Sequence, residues 1–128
     1  MPANRLWHYA SVLAVRDLAA STAYFRDVLG FTVGWADADD WRMLERGDVR
    51  LMLGHCPQER PASDIGARSY FAYWHIDDVG ALHAEIAGRG AIIRQAPADR
   101  PWGQREMVIA TPDGHRIVAG QILGKSQP

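Results

Sequence analysis

The residues best suited to chemistry are concentrated in one short stretch, PWGQREMVIATPDGH, at positions 101–115. It carries a tryptophan, Trp102, a carboxylate, Glu106, and two basic side chains, Arg105 and His115. A carboxylate and an imidazole are common metal ligands, whereas a carboxylate beside an indole can form the wall of a pocket for an organic ligand. The stretch therefore predicts either a metal site or one wall of a pocket, and the surrounding elements must decide between them.

The bulk composition restricts the class of protein. The chain has 128 residues, of which 48% are hydrophobic and 23% charged, and this is typical of one globular domain. Its 14 basic and 15 acidic residues are spread evenly and give a net charge of −1, so there is no basic patch for nucleic acid. No apolar run approaches the roughly 20 residues that span a bilayer. We therefore expect a single domain whose partners are neither nucleic acid nor membrane.

The N-terminus and the cysteine content predict a cytoplasmic protein. The opening residues, MPANRLWHYASV, lack the basic, apolar and small-residue succession of a secretory signal. Cys56 is the only cysteine, so it cannot form an internal disulfide.

The hydrophobic pattern of the first half predicts a strand, a helix and three further strands. YASVLAVRDL alternates between two faces, as a strand does, and DLAASTAYFRDVLG has apolar residues at helical spacing. Asp17 is placed to cap the N-terminus of this helix, and Gly30 to end it in the left-handed conformation. The three extended segments that follow are FTVGWA, WRMLER and VRLMLGH.

The second half repeats this order. Its segments are SYFAYWHI, DDVGALHAEIAGRG, AIIRQAP, QREMVIA and HRIVAGQ. Asp78 follows Asp17 by 61 residues and Gly90 follows Gly30 by 60, so one unit occurs twice. The sequence thus predicts an α+β fold: two tandem βαβββ modules, about 7–55 and 68–122, joined by a linker of about 56–67, whose curved mixed sheets surround a cavity.

Three of these stretches carry a resemblance to a known family. On VLAVRDLAASTAYFRDVLGF, HIDDVGALHAEIAGRGA and PWGQREMVIATPDGHRI, the chain resembles the vicinal oxygen chelate superfamily, also called the glyoxalase, bleomycin resistance and dioxygenase superfamily. Within it, YFRDVLGF, RGDVRLMLG and PWGQRE are most similar to bleomycin resistance proteins. The resemblance spans nearly the whole chain, and it implies a homodimer whose ligand sites are built from the curved sheets.

The resemblance also implies that the superfamily's usual metal site is missing. The metal-dependent members take His, Gln and Glu ligands from the first and last strands of each module. The corresponding positions here are Ala10, Phe71 and Val118, and the segment LMLG offers no carboxylate either. None of these side chains binds a hard or borderline cation. We therefore expect no metal and no other cofactor.

A relocated metal site is the alternative. His8 and His75 share strand faces with Ala10 and Phe71, because side chains repeat every two residues along a strand. Together with Glu106 they could supply three ligands, although their spacing does not guarantee convergence. His115 lies in a turn, and we expect it at the surface.

Aromatic and polar residues near turns and strand ends form the predicted ligand site. An indole ring such as that of Trp102 can stack on a flat heterocycle, a glycine such as Gly103 permits close backbone approach, and Glu106 can anchor an amine or a hydroxyl. The alternatives are core packing for the aromatic rings and a surface ion pair of Glu106 with Arg105 or Arg94. The predicted ligand-binding residues are Trp35, Trp41, Phe71, Tyr73, Trp102, Gly103 and Glu106.

Three functions are compatible with these observations. The favoured one is a metal-free binding protein of the bleomycin resistance type, which confers antibiotic resistance by sequestering a partly aromatic ligand such as a glycopeptide-type antibiotic. A net charge of −1 is, however, not the marked acidity that suits a cationic drug. The second is a metal-dependent lyase, isomerase or dioxygenase with relocated ligands, and the third is a structural or regulatory module with a filled cavity. We identify no catalytic residues, since no base lies beside a partner poised for proton transfer.

Overall fold

The computed structural model describes residues 3–6, 9–35 and 39–124, and it divides them between two sheets. The first half of the chain comprises β1 (Ser11–Val15), α1 (Leu18–Ala23), a π-helical segment (Tyr24–Val28), β2 (Thr32–Trp35), β3 (Trp41–Arg46) and β4 (Val49–His55). A 3₁₀-helical segment, Ala62–Arg68, connects it to the second half. The second half comprises β5 (Tyr70–His75), α2 (Val79–Ala87), β6 (Ile92–Asp99), β7 (Gln104–Ala110) and β8 (Arg116–Ile122).

The two sheets have the same topology. Their strand orders are β1-β4-β3-β2 and β5-β8-β7-β6. In each sheet the first strand pairs with the last in parallel, and the other pairs are antiparallel. The predicted α+β fold with two βαβββ units is confirmed.

Both helices begin after the predicted N-caps, and α2 ends at Ala87, three residues before the predicted Gly90. The carboxylates of Asp17 and Asp78 each accept a hydrogen bond of 3.0 Å from the backbone N–H three residues later, which caps the helix N-terminus. Gly30 and Gly90 follow the helices with φ angles of 78° and 92°. The first helix differs from the prediction in one respect, because from Tyr24 onward its backbone widens into the π-helical segment.

Each sheet has a face covered by its helix and a face turned away from it, which we call the open face. In β1 the side chains of Leu13 and Val15 are buried on the covered face, whereas Val12 on the open face is exposed. Both covered faces contribute to one hydrophobic core. Within this core Phe31 lies 5.5 Å from Trp74, ring centroid to centroid, so this contact joins the two halves.

A buried tyrosine also ties the halves together. The hydroxyl of Tyr24 donates a hydrogen bond of 2.6 Å to the Ala110 carbonyl and accepts one of 3.0 Å from the Ile92 N–H. Tyr24 therefore satisfies a donor and an acceptor of the second sheet from a residue of the first half.

The segment between the sheets is held to the turn that joins β7 and β8. The N–H of Ser63 donates to the Asp113 carbonyl at 2.9 Å, and the hydroxyl of Ser69 donates to the Gly114 carbonyl at 2.6 Å. Part of the segment expected as a linker is therefore regular structure. Within the described part of the chain, no helix is long and apolar enough to cross a membrane.

An ionic bridge between the halves predicts acid sensitivity. Glu85 on α2 accepts hydrogen bonds from Arg46 of β3 at 2.9 and 3.1 Å, and another from Arg89 at 3.1 Å. These bonds, chiefly those from Arg46, lower the pKa of Glu85. A carboxyl group whose pKa is lower in the folded state stabilises the fold above its unfolded-state pKa, and this contribution is lost as the pH falls through the folded-state pKa.

Glu85→Gln is expected to destabilise the protein by at most about 1 kcal/mol at pH 7, because the bridge is partly exposed. The difference from the wild type should shrink between pH 5 and pH 3, as measured by urea unfolding at each pH. Glu59→Gln, in an exposed segment, is the control. No difference at pH 7, or a difference that stays constant down to pH 3, would show that the charge of Glu85 does not stabilise the fold.

Candidate functional site

Three of the predicted ligand-binding residues meet on the open face of the second sheet. The hydroxyl of Tyr73, from β5, donates a hydrogen bond of 2.7 Å to Oε2 of Glu106, on β7. The indole Nε1–H of Trp102, in the turn before β7, donates to the same oxygen at 2.9 Å. We call these three residues the carboxylate cluster.

Glu106 is a buried carboxylate without a cationic partner among the described residues. It is only 9% exposed, and no lysine or arginine in the described ranges forms an ion pair with it. The predicted alternative partner, Arg105, instead forms an ion pair of 2.7 Å with Asp99. This correction follows from strand geometry, since adjacent residues of β7 point to opposite faces. Burial of a charge is costly unless it is paired, so the two neutral donors compensate it only in part.

A glycine makes the link between Tyr73 and Glu106 possible. Strand β8 lies between β5 and β7, and the Tyr73 side chain crosses it at Gly120. A Cβ atom at position 120 would lie 2.5 Å from Cζ of Tyr73, which is closer than any real contact. The side-chain amide of Gln104 also lies against the Tyr73 hydroxyl, whose single proton is donated to Glu106.

The cluster keeps Tyr73 protonated. Burial of the phenol, together with the hydrogen bond to Glu106 and the charge of that carboxylate, raises the pKa of Tyr73 well above its usual value. At neutral pH the phenol therefore acts as a hydrogen-bond donor and holds the carboxylate in place.

The open face of the first sheet repeats this arrangement of an aromatic ring over a glycine. Trp41 pairs with Gly54 across β3 and β4, and a Cβ atom at position 54 would lie 2.9 Å from its ring. Beside them, Val12, Met52 and Met43 form an apolar row across β1, β4 and β3. Gly54 and Gly120 occupy corresponding positions in the last strands of the two units.

The other predicted ligand-binding residues that the structure describes do not belong to the carboxylate cluster. Trp41 lies on the first sheet and is not part of the carboxylate cluster. Phe71, on β5, is half-buried. Its ring meets the His115 ring edge-on, with 5.8 Å between the two ring centroids. Gly103 adopts a φ of 85° in the turn that carries Trp102, so the turn conformation accounts for this glycine. The side chain of Trp35 lies outside the described residues.

His115 is not the surface histidine that the sequence predicts. It is half-buried, and its Nδ1 lies 3.0 Å from the hydroxyl of Thr111. Burial lowers the pKa of His115, so the neutral imidazole is favoured. The turn between β7 and β8 folds the ring against Phe71, which a position in a turn does not by itself reveal.

The residues at the superfamily's usual ligand positions do not fit a metal ion. Ala10, Phe71 and Val118 carry hydrocarbon side chains, and the apolar row occupies the open face of the first sheet. Among the described residues, no three His, Cys, Asp or Glu side chains lie together as a metal site requires. Of the alternative metal ligands predicted from the sequence, His8 lies outside the described residues. The His75 ring packs against the Tyr73 ring, with 5.1 Å between the ring centroids.

Three residues of the open faces were not identified from the sequence: Gln104 and Gly120 beside the carboxylate cluster, and Gly54 on the first sheet. Gln104 has the same strand parity as Glu106, and this spacing could have placed it on the same face. Gly120 and Gly54 both stand near the end of the last strand of their unit, which could have marked sites of close approach.

Gly120→Ala is expected to displace the Tyr73 ring from Glu106 and to destabilise the fold by about 1–3 kcal/mol. Loss of the carboxylate's hydrogen bond should lower the pKa of Tyr73. Alkaline titration of tyrosine absorbance tests this, with Tyr73→Phe used to assign the signal. An unchanged midpoint in Gly120→Ala would show that Tyr73 does not need this glycine.

Comparison with known proteins agrees with this fold. Residues 5–119 match the sequence-family model of the glyoxalase/bleomycin resistance protein/dioxygenase superfamily. No curated protein matches the chain.

Solved structures of the same architecture cover nearly the whole chain. A bleomycin resistance determinant encoded on the transposon Tn5 has a TM-score of 0.76 at 23% identity, over 93% of this chain and 100% of the other. A bleomycin-binding protein from Streptomyces verticillus, complexed with copper(II)-bleomycin, has a TM-score of 0.68 at 22% identity, over 94% and 98%. TioX from Micromonospora sp. ML1 has a TM-score of 0.70 at 20% identity, over 94% and 100%. The family match and the shared βαβββ topology confirm the resemblance, and the chain belongs to the glyoxalase/bleomycin resistance protein/dioxygenase superfamily.

Proposed function

We propose that this protein is a metal-free binding protein of the bleomycin resistance type that sequesters a partly aromatic, cationic small molecule. The observation that carries the proposal is the buried carboxylate of Glu106, which lies between two aromatic side chains and has no ion-pair partner among the described residues. A cation of the ligand would supply the missing partner.

The cluster provides both parts of such a recognition site. Tyr73 and Trp102 both donate to Oε2 of Glu106, so Oε1 is the oxygen that a ligand's ammonium or guanidinium group would contact. Trp102 is 63% exposed, and its ring offers a surface on which a flat heterocycle can stack. The negative charge is local, so the proposal does not require a strongly acidic protein.

The second wall of the site comes from a homodimer in this proposal. The open faces of both sheets expose aromatic and apolar side chains, among them Val12, Trp41 and Tyr73. We infer that the open face of the first sheet in one protomer covers the carboxylate cluster of its partner. This brings Trp41 to the ligand.

The structural neighbours suggest a kind of ligand. The Streptomyces verticillus protein binds copper(II)-bleomycin, and this supports a glycopeptide-type antibiotic as the ligand and antibiotic resistance as the role. Apolar residues at the usual metal positions support binding rather than metal-dependent chemistry.

Calorimetric titration with metal-free bleomycin, copper(II)-bleomycin and berberine, a flat organic cation, tests the proposal. We expect at least one probe to bind with a Kd of about 10 µM or less, which corresponds to about 7 kcal/mol. Light scattering should give a mass twice that of one chain, and elemental analysis should show far less than one metal ion per chain. Stoichiometric divalent metal would instead favour the metalloenzyme. A dimer that binds none of the probes would favour a module with a filled cavity.

A further inference from the structure

A concave site lies between the two halves of the chain, away from the carboxylate cluster. It is a cleft of about 560 Å³ between the β3–β4 turn and the connection from β5 to α2. Pockets for small molecules typically measure about 300–1,000 Å³. The cleft is therefore large enough for a small organic ligand.

The floor of the cleft is apolar. Phe31 and Ile109 are buried at its base, and Trp74 and Leu82 are half-buried beside them. The rings of Phe31 and Trp74 are tilted by 44° to each other, with 5.5 Å between their centroids. A ligand with a compact hydrocarbon body would release water from this surface.

The rim of the cleft is acidic. Three exposed carboxylates, Asp48, Asp77 and Asp78, line it. Among the other lining residues, Arg46 forms an ion pair of 2.9 Å with Glu85, which also pairs with Arg89 at 3.1 Å, and His75 is a further basic side chain. The four carboxylates at the cleft still outnumber the two guanidinium groups. The rim therefore favours a positively charged head group over a neutral or anionic one.

We propose that this cleft is a second binding site, specific for a small apolar molecule with one positive charge, such as an arylalkyl amine. The apolar floor takes the ring, and the rim carboxylates attract the ammonium group. Because the cleft joins the two halves, an occupying ligand also braces them against each other. The site is independent of Glu106 and of the function proposed for the carboxylate cluster.

Three naphthalene derivatives of similar size and different charge test this proposal: 1-naphthylmethylamine, 1-naphthalenemethanol and 1-naphthoic acid. Each is titrated into the ¹⁵N-labelled protein, and amide shifts are followed by NMR. We expect the amine to shift the amides of Asp48, Leu82 and Glu85 and to bind about three- to fivefold more tightly than the alcohol. The acid should bind more weakly than either.

Two alanines on α2 supply a blocking variant and its control. Ala81 is exposed and lines the cleft, so Ala81→Trp should weaken amine binding about tenfold or more without disturbing the core. Ala84 is exposed on the same helix outside the lining, and Ala84→Trp should leave binding unchanged.

A charge variant tests the rim separately. The double variant Asp48→Asn, Asp77→Asn should prefer the amine over the alcohol less than the wild type does, because two of the three rim carboxylates are neutral. Glu106→Gln should keep the shifts in the cleft, which separates this site from the carboxylate cluster. The proposal is overturned if the amine shifts only residues of the open faces, if Ala81→Trp binds as the wild type does, or if the alcohol binds as tightly as the amine.

Discussion

Glu106→Gln is expected to weaken the binding of a cationic probe by about ten- to a hundredfold, or about 1.4–2.7 kcal/mol. The amide has the same shape as the carboxylate and can still accept hydrogen bonds from Tyr73 and Trp102. The variant therefore removes the negative charge and little else. Calorimetric titration of both proteins with berberine and metal-free bleomycin measures the difference.

The stability of the same variant provides an independent check. A buried carboxylate that lacks a cationic partner costs folding free energy, so Glu106→Gln should be as stable as the wild type or more stable. Glu59→Gln, at an exposed position, should change neither binding nor stability. Equal affinity of Glu106→Gln and the wild type for every probe would remove Glu106 from the binding site.

Tyr24→Phe is expected to destabilise the protein by about 2–4 kcal/mol. The substitution deletes the hydroxyl that bonds both the Ala110 carbonyl and the Ile92 N–H. Both backbone groups would then lie next to a buried ring without that partner, and each unsatisfied group costs about 1–3 kcal/mol. Urea unfolding followed by far-UV circular dichroism measures the change.

Tyr70→Phe is the matched control, because Tyr70 lies at the start of β5 and is 47% exposed. It should change the free energy of unfolding by less than about 0.5 kcal/mol. If Tyr24→Phe and Tyr70→Phe were equally stable, the bond between the two halves through Tyr24 would be unimportant. The expected ranking follows from burial, since both variants lose the same atom.

The local structure could be predicted from the sequence because interactions between residues close in sequence determine it. Asp17 and Asp78 cap helices through bonds to backbone groups three residues away, and Gly30 and Gly90 take positive φ angles that other residues disfavour. The strands follow from alternation of apolar residues. Repetition of these signals at a spacing of about 60 residues then fixed the doubled topology.

The site could be predicted only in part, because its contacts join residues that are distant in sequence. Tyr73 and Glu106 are 33 positions apart, and their bond depends on the crossing at Gly120. Strand parity places Arg105 and Glu106 on opposite faces, but it does not say which face is open. The separation of Trp41 from Trp102 likewise depends on how the two sheets pack, and no local pattern encodes that.

The indole N–H resonance of Trp102 offers the most direct test that the carboxylate cluster binds the ligand. This proton forms the bond to Glu106, and Trp102→Phe identifies its signal among those of the five tryptophans. The ¹⁵N-labelled protein is titrated with whichever of bleomycin and berberine binds more tightly. We predict that the Trp102 indole signal and the Glu106 and Gly120 amides shift most, and that Glu106→Gln needs about ten to a hundred times more probe to reach the same shifts. Saturation of the protein with no change at these three signals would contradict the assignment of this cluster as the binding site.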